Sequence, residues 1–483
     1  MNPLPRNKLP RGVGTGTVLA QVFALCFGAF LALAVLKFGT PIILDAKIFP
    51  PRSMTEFLFE LWPIRWAYLP FALLALVGLA KVSIMERVRA SRAPVWLLLA
   101  PVVWFGWQVL ASKSSVDPDL SAMTLPHLAV CVGCFSLGFL ALPRQDLTKL
   151  FWLALSVGLC VCLIKAARQH LFEFSQDYQH LTEGVQAGWT NFTPSSLQEM
   201  QEQGLLISTN GLWVPNPTIL LKLQKGRSYG TLVYPNALAN LLLLLGPWLM
   251  VTAVQAGGKL RPIVRVFAGL MVAVLLLGNF YWTGSKAAWL VALLMGVGWV
   301  FNQRVSTKFK WLAGAGVLAV GAGIFLVRFS GYLEKGATSA AARVEYWKVA
   351  WQVAIDHPLF GSGPGTFQRP YALAKPAEAE MTRLVHNDFL QQASDAGWVA
   401  LLAYLVWVVG LLWVLLPRVR HSPLYFALWL GFAGWCAHSA VDFCLYVPPA
   451  AWTAFTVAGL LLGSGLGNGS TRDPAPGTEK QAL

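Results

Sequence analysis

Long apolar runs, separated by short polar segments, make up most of the chain. A run of about 20 apolar residues can cross a bilayer as a helix, and irregular backbone cannot face lipid. The pattern therefore predicts an all-α polytopic membrane protein with about twelve transmembrane helices. The predicted spans are 17–37, 66–84, 95–111, 127–142, 150–166, 232–254, 266–282, 287–302, 311–329, 398–416, 424–444 and 448–465.

Two polar segments are too long to be turns between spans, and such loops usually carry a functional site. We expect short helices in both. The predicted organisation is 1–166 with spans one to five, the loop 167–231, 232–329 with spans six to nine, the large loop 330–397, 398–465 with spans ten to twelve, and the tail 466–483. The Gly/Ser/Pro-rich composition of the tail predicts disorder.

The charge distribution predicts the orientation. Only 12% of the residues are charged, about half the share of a soluble domain, so a soluble enzyme is excluded. The net charge of +15 comes from basic residues in alternate connecting segments, which the positive-inside rule assigns to the cytoplasm. Both termini are then cytoplasmic and both long loops face outward. The charge therefore reflects topology and contact with membrane lipids, and it indicates no nucleic-acid partner.

Ionisable side chains gather at the predicted outer edge of the membrane. An ionisable residue at the end of an apolar span costs free energy and is a candidate for function. Arg227 precedes span six, Lys286 occupies the tight turn between spans seven and eight, and Arg343 lies in the large loop. The alternative is that Arg227 and Lys286 extend to lipid headgroups, and that the helix with Arg343 lies on the membrane surface.

Further polar residues accompany these cations. His386, Asn387 and Asp388 stand just before span ten in "RLVHNDFLQQASDAGW", and Asn236 enters a span of mostly Leu and Ala. His438 and Asp442 are four residues apart, which predicts that they stack on one helical face; a purely structural bond between them is the alternative. The residues predicted to form or support the site are Arg227, Asn236, Lys286, Arg343, His386, Asn387, Asp388, His438 and Asp442.

Together, these residues predict an anion site beside a titratable imidazole. Three cations suit a diphosphate, and a histidine suits proton transfer near neutral pH. An anion transporter would have less use for the histidine. Cys131 and Cys134 spell C-x-x-C, but they lie in an apolar run without further ligands nearby. We therefore expect no metal site and no cofactor.

An ordered series of motifs resembles the O-antigen ligase family. The motifs are "GRSYGTLVYPNALAN", "TGSKAAW", "ARVEYWKVAWQVAIDHPLFGSGPGTF", "VHNDFLQQASDAGW" and "HSAVDF", which together cover roughly residues 225–445. In this resemblance His386 matches the family histidine, Arg227 matches a family arginine, and Arg343 fits the R-x-x-x-W pattern. The turn that often reads S-R in the family reads Ser285-Lys286 here, which keeps the charge without the bidentate fork.

The resemblance implies a multi-pass glycosyltransferase of the bacterial inner membrane, with its active site facing the periplasm. It implies transfer of a glycan from undecaprenyl diphosphate, without a metal or a nucleotide sugar. Direct attack of the acceptor on this donor would invert the anomeric carbon. In this family the acceptor is the lipid A–core, another lipid-linked repeat, or a Ser or Thr of a protein. The rival interpretations are a bicarbonate-like anion transporter and a non-catalytic scaffold for polysaccharide export. A transporter would be expected to have repeated halves and a site at the midplane.

Overall fold

A computed structural model describes residues 15–80, 84–142, 145–202, 204–209, 211–256, 261–334 and 338–464. The predicted disordered tail 466–483 lies outside these residues. The helices are α1 Thr15–Lys37, α2 Met54–Phe59, α3 Tyr68–Leu79, α4 Ile84–Ser91, α5 Val95–Ala111, α6 Pro118–Leu140, α7 Gln145–Arg168, α8 Phe174–Gln186, α9 Pro194–Glu202, α10 Pro217–Lys225, α11 Pro235–Ala256, α12 Pro262–Thr283, α13 Lys286–Asn302, α14 Thr307–Glu334, α15 Thr338–Asp356, α16 Gln368–Ala374, α17 Asp388–Val419, α18 Pro423–Ser439 and α19 Pro448–Gly463.

Each predicted span coincides with a helix, but the helices differ in their ability to cross a membrane. Among the described residues, eight helices are long and apolar enough to do so. A ninth is added if the bent pair Ile64–Leu79 and Ile84–Ser91 forms one span, and α13 and α19 are shorter apolar helices. The structure confirms an all-α polytopic membrane protein. The number twelve is not confirmed by length and composition.

The helices pack pairwise around α19, which is buried along its whole length. α1 packs along α7, α6 along α19, α11 along α18 and α5 along α17. Helices in lipid associate closely where small residues let their backbones approach. Gly459 is such a position, because a Cβ there would collide with the carbonyl oxygen of Phe135 on α6. This packing fixes the ends of α18 and α19, between which part of the candidate site lies.

The loop predicted over 167–231 contains an antiparallel hairpin in addition to its helices. β1 Leu206–Thr209 pairs with β2 Leu212–Pro215, between α9 and α10. The expectation of short helices alone was therefore incomplete. Gly211, directly before β2, has φ 79°, a conformation that glycine adopts without steric cost. The hairpin packs on a small apolar cluster that includes Leu181 and Trp189.

α17 starts earlier than predicted and is broken near its start. It begins at Asp388 rather than at Trp398, and its helical geometry is interrupted at Ala396 and Gly397. Hydropathy detects only the apolar part after the break. The polar residues before the break are helical nevertheless, because their side chains form hydrogen bonds inside the protein.

The loop that follows α15 closes over the break in α17. The backbone N–H groups of Ser362 and Gly363 donate to the carbonyl oxygens of residues 394 and 395 at 2.8 Å. Pro358 accepts a hydrogen bond from the backbone N–H of Trp398 at 2.9 Å. These bonds satisfy the backbone groups that the break leaves without helical partners. The loop thereby holds the polar start of α17 at a fixed angle.

Substitution of Gly397 with alanine is expected to destabilise the protein by about 1–3 kcal/mol. Gly397 has φ 76°, and a Cβ would meet the carbonyl oxygen of Leu359. Thermal unfolding of the purified protein in detergent measures the effect. Gly323→Ala is the matched control, because Gly323 lies in α14 with nothing within 4 Å of a Cβ. Equal melting temperatures for the two variants would contradict the assigned role of the break.

Candidate active site

His386 is held in an uncommon backbone conformation at the start of α17. Its φ is 54°, a left-handed value that non-glycine residues rarely adopt and that clusters at functional sites. Asn387 caps the helix, since its Oδ1 accepts hydrogen bonds from the N–H groups of Phe389 (3.0 Å) and Leu390 (3.1 Å). The imidazole is one quarter exposed. Asn387, predicted to form or support the site, thus fixes the helix start beside the histidine.

A buried network of hydrogen bonds supports the backbone conformation of His386. Oε1 of Gln391 accepts a hydrogen bond from the backbone N–H of Val385 (2.7 Å). Nε2 of Gln391 donates to Oδ1 of Asp395 (2.9 Å). Oδ2 of Asp395 accepts from the N–H of Gly365 (2.8 Å) and from the hydroxyl of Tyr446 (2.9 Å). Three separate segments are therefore joined at one carboxylate. Such satisfied networks hold a functional side chain in one geometry.

Asp442 links the imidazole to the arginines. Its Oδ1 lies 3.5 Å from Nδ1 of His386, and its Oδ2 lies 3.5 Å from Nη2 of Arg343. Oδ2 also accepts a hydrogen bond from Nδ2 of Asn236. Burial raises the pKa of a carboxyl, but the bond to His386 and the charges of His386, His438 and Arg343 outweigh burial here. The pKa of Asp442 therefore lies below its ordinary value, and the group is an anion at neutral pH.

The predicted stacking of His438 and Asp442 on one helical face is wrong. α18 ends at Ser439, and the side chain of Asp442 accepts from the backbone N–H of Phe443 at 2.9 Å, a local bond that competes with the helix. Nδ1 of His438 lies instead 3.3 Å from Nδ2 of Asn240. His438 is fully buried, and its Nδ1 also lies 3.4 Å from Sγ of Cys444, in the segment that carries Asp442.

Asp388, predicted to form or support the site, has a contact away from the imidazole. Its side chain is fully buried, and Oδ2 accepts from the backbone N–H of Leu445 at 2.8 Å. It thus ties the start of α17 to the segment between α18 and α19. The carboxylate that lies against the imidazole is Asp442, which comes from that same segment.

Four cations form a group that we call the cationic cluster, composed of Arg227, Lys286, Arg328 and Arg343. Nε of Arg227 donates to the carbonyl oxygen of Thr283 (2.7 Å), and its Nη2 donates to Oδ1 of Asn236 (2.9 Å). Burial lowers the pKa of Arg227, Asp442 counteracts this, and Arg343 and Arg328 lower it further. The charges of Arg343 and Arg328 therefore act on Arg227.

The predicted turn position of Lys286 is confirmed. Two residues join α12 to α13, and Gly284 takes φ 57° there. Nζ of Lys286 lies 4.0 Å from the ring centroid of Tyr332, a cation–π contact. Arg227, Arg343 and Arg328 all lie within electrostatic range of it.

Arg328 was missed by the sequence analysis. It stands near the end of the apolar run of α14, and its guanidinium lies 4.9 Å from the ring centroid of Tyr281. The rule that singled out Arg227 and Lys286, an ionisable residue at the edge of an apolar span, applies equally to it. With Arg328 the cluster has four positive charges, whereas the carboxylate of Asp442 that contacts it has one negative charge. This excess of positive charge suits a multiply charged anion.

A cavity of about 240 Å³ lies beside the imidazole. Its walls include Tyr234, Arg383, His386 and Phe443. The ring of Phe443 meets the imidazole edge-on at 4.7 Å and the ring of Tyr234 at 5.6 Å. The histidine therefore lines this cavity and also contacts the carboxylate that Arg343 of the cationic cluster contacts.

Comparison with known proteins identifies one part of the chain. Residues 271–405 match the model of a protein family described as O-Antigen ligase. The match includes three of the four cluster cations and His386, and it ends before Asp442. No curated protein matches the chain. Residues 271–405 thus carry a domain of the O-antigen ligase family, as the motifs indicated, and this supports a membrane glycosyltransferase of the ligase or polymerase type.

Proposed function

We propose that the protein transfers a glycan from undecaprenyl diphosphate to an acceptor hydroxyl at the periplasmic face of the bacterial inner membrane. The observation that carries this proposal is the position of Asp442, whose two oxygens face His386 and Arg343. A group that can take a proton and a group that can hold an anion are thereby fixed side by side. Glycan transfer from a lipid diphosphate requires both.

The cationic cluster would bind the diphosphate of the donor. Breaking the bond between the anomeric carbon and the diphosphate builds negative charge on the leaving oxygen. Fixed cations in a site with little water stabilise that charge strongly, because the groups need no reorganisation during the reaction. Bidentate arginines bind phosphate well. We propose that these side chains take the part that a metal has in other transferases, so that the reaction needs neither a metal nor a nucleotide sugar.

An apolar groove offers space for the lipid part of the donor. It measures about 300 Å³ and is lined by side chains of α11, α12, α13 and α18, among them Met250, Leu276 and Met295. α12 ends and α13 begins at the turn beside Arg227 and Lys286. A diphosphate in the cluster would therefore lie above an apolar surface that suits an isoprenoid chain.

His386 would act as the base on the acceptor hydroxyl. With Nδ1 directed at Asp442, the other ring nitrogen remains available to accept the proton. The carboxylate fixes the tautomer and stabilises the imidazolium that forms, as in other carboxylate–histidine pairs. The freed oxygen attacks the anomeric carbon directly, the bond to the diphosphate breaks, and the configuration inverts.

A deletion strain tests the proposal and identifies the acceptor. Loss of long glycan from lipid A, with accumulation of lipid-linked polymer, indicates a ligase acting on the lipid A–core. A single capped repeat indicates a polymerase, and unmodified glycoproteins indicate transfer to Ser or Thr. Unchanged surface glycans and glycoproteins in the deletion strain would contradict the proposal.

Lys286→Arg is expected to retain glycan transfer, because it keeps the positive charge and the contact with the ring of Tyr332. Lys286→Met is expected to lower the rate at least about tenfold, since a charge-assisted contact to the diphosphate is lost. The rate of glycan transfer by each purified variant checks both. An inactive Lys286→Arg protein would mean that the cluster requires the shape of lysine as well as its charge.

A further inference from the structure

One side chain that lines the cavity beside the imidazole is a cation, and the proposed donor site does not use it. Arg383 lines this cavity together with His386, and it is only partly exposed. In the part of the chain that the structure describes, Arg383 forms no ion pair. A partly buried guanidinium that faces a cavity without a counter-charge is suited to bind an anionic ligand.

The remaining walls of the cavity suit a sugar ring. Tyr234 and Phe443 supply aromatic surfaces, and Pro41, Ile43 and Leu44 add apolar surface to the lining. Pyranose rings present C–H groups that pack on aromatic and apolar surfaces, whereas their hydroxyls need hydrogen-bonding partners. The hydroxyl of Tyr234 is such a partner, and the charge of Arg383 lies near enough to offset part of the burial that raises the pKa of Tyr234.

The position of the cavity assigns it to the acceptor. The cationic cluster contacts Oδ2 of Asp442 through Arg343, whereas the imidazole contacts Oδ1. None of the four cluster cations lines the cavity, whereas His386 does, so a sugar bound there would lie beside the histidine and outside the cluster. A direct displacement requires an attacking hydroxyl next to the base and a leaving diphosphate held by other groups.

We propose that the cavity binds an anionic sugar of the acceptor, with Arg383 paired to its carboxylate or phosphate and Tyr234 and Phe443 packed on its ring. The assignment to the acceptor rests on the proposed function, whereas the recognition of an anionic sugar rests on the cavity alone. The walls at Pro41–Leu44 lie outside the matched domain at residues 271–405. The choice of acceptor then depends on a part of the chain that the family motif does not include.

Saturation-transfer NMR on the full-length protein in detergent tests this proposal with soluble probes. The probes are glucuronic acid, glucose 6-phosphate and methyl glucoside, each measured with and without saturating inorganic diphosphate. We expect the two anionic sugars to bind, to remain bound when diphosphate is present, and to bind more tightly than methyl glucoside. Arg383→Gln should weaken the anionic sugars about tenfold, the effect of one charged hydrogen bond, and leave diphosphate affinity unchanged.

Arg52→Gln is the matched control, because Arg52 is exposed and lies outside the cavity lining, and it should behave as the wild type does. Tyr234→Phe is a second variant that should weaken all three sugars and keep the aromatic surface. Displacement of the anionic sugars by diphosphate, or equal affinities in Arg383→Gln and the wild type, would overturn the proposal. A wild-type protein that binds the anionic sugars but no diphosphate would contradict the donor site and support the cavity.

Discussion

His386→Ala is expected to abolish glycan transfer while the protein stays inserted and abundant. The reason is that removal of a general base lowers a rate by about 10²–10⁴-fold. Initial rates of transfer by the purified protein, with the amount of membrane protein determined in parallel, measure the effect. Normal transfer by this variant would remove the histidine from the mechanism.

A second variant is needed because of the backbone conformation of His386. Its φ of 54° is unfavourable for alanine, so His386→Ala could lose activity through a local change in the chain. Asparagine tolerates this conformation better than most residues and carries no basic nitrogen. We therefore expect His386→Asn to keep the melting temperature of the wild type and to be as inactive as His386→Ala. Substantial activity in His386→Asn would contradict the role as a base.

Asp442→Asn is expected to lower the turnover number about 10²–10⁴-fold without weakening the binding of diphosphate. The amide no longer stabilises an imidazolium. The comparable substitution in the triad of a serine protease lowers the turnover number about 10⁴-fold. The cations lose their negative neighbour, so an anion should bind at least as tightly as before. Turnover and undecaprenyl diphosphate affinity, measured on the same preparation, separate the two effects.

Asp119→Asn is the matched control for this experiment. Asp119 is exposed in the first turn of α6, and the substitution removes the same charge from the molecule. We expect it to retain wild-type turnover. If Asp442→Asn retained it as well, the carboxylate would have only a structural role, and the proposed pairing with the imidazole would be contradicted.

The sequence was sufficient to predict an all-α polytopic membrane protein and the family that residues 271–405 match, because both predictions depend on local signals. Apolar runs indicate burial in lipid or in a protein core, and the order of the motifs indicates the family. The cations at Arg227 and Lys286 were recognised because an ionisable side chain at the end of an apolar run is costly wherever the run packs. Arg328 obeys the same rule and could have been recognised in the same way.

The partner of the imidazole could not be predicted from the sequence. Asp442 lies in a segment that hydropathy assigns to a helix, and the local hydrogen bond from the N–H of Phe443 that ends the helical pattern has no signature in apolar periodicity. Likewise, the break in α17 depends on a distant loop whose amides bond to residues 394 and 395. Such pairings between distant segments follow from tertiary packing, which periodicity does not encode.

The central claim is that fixed cations of this chain hold the diphosphate of the donor beside His386. The most direct test is the rate at which purified protein, in the presence of a metal chelator, releases undecaprenyl diphosphate from a lipid-linked glycan while an acceptor is present. We predict release equal to the amount of glycan transferred, with inverted configuration, and a loss of about 10²-fold or more in Arg227→Gln. An unchanged rate in Arg227→Gln, or a wild-type rate that the chelator abolishes, would contradict the account.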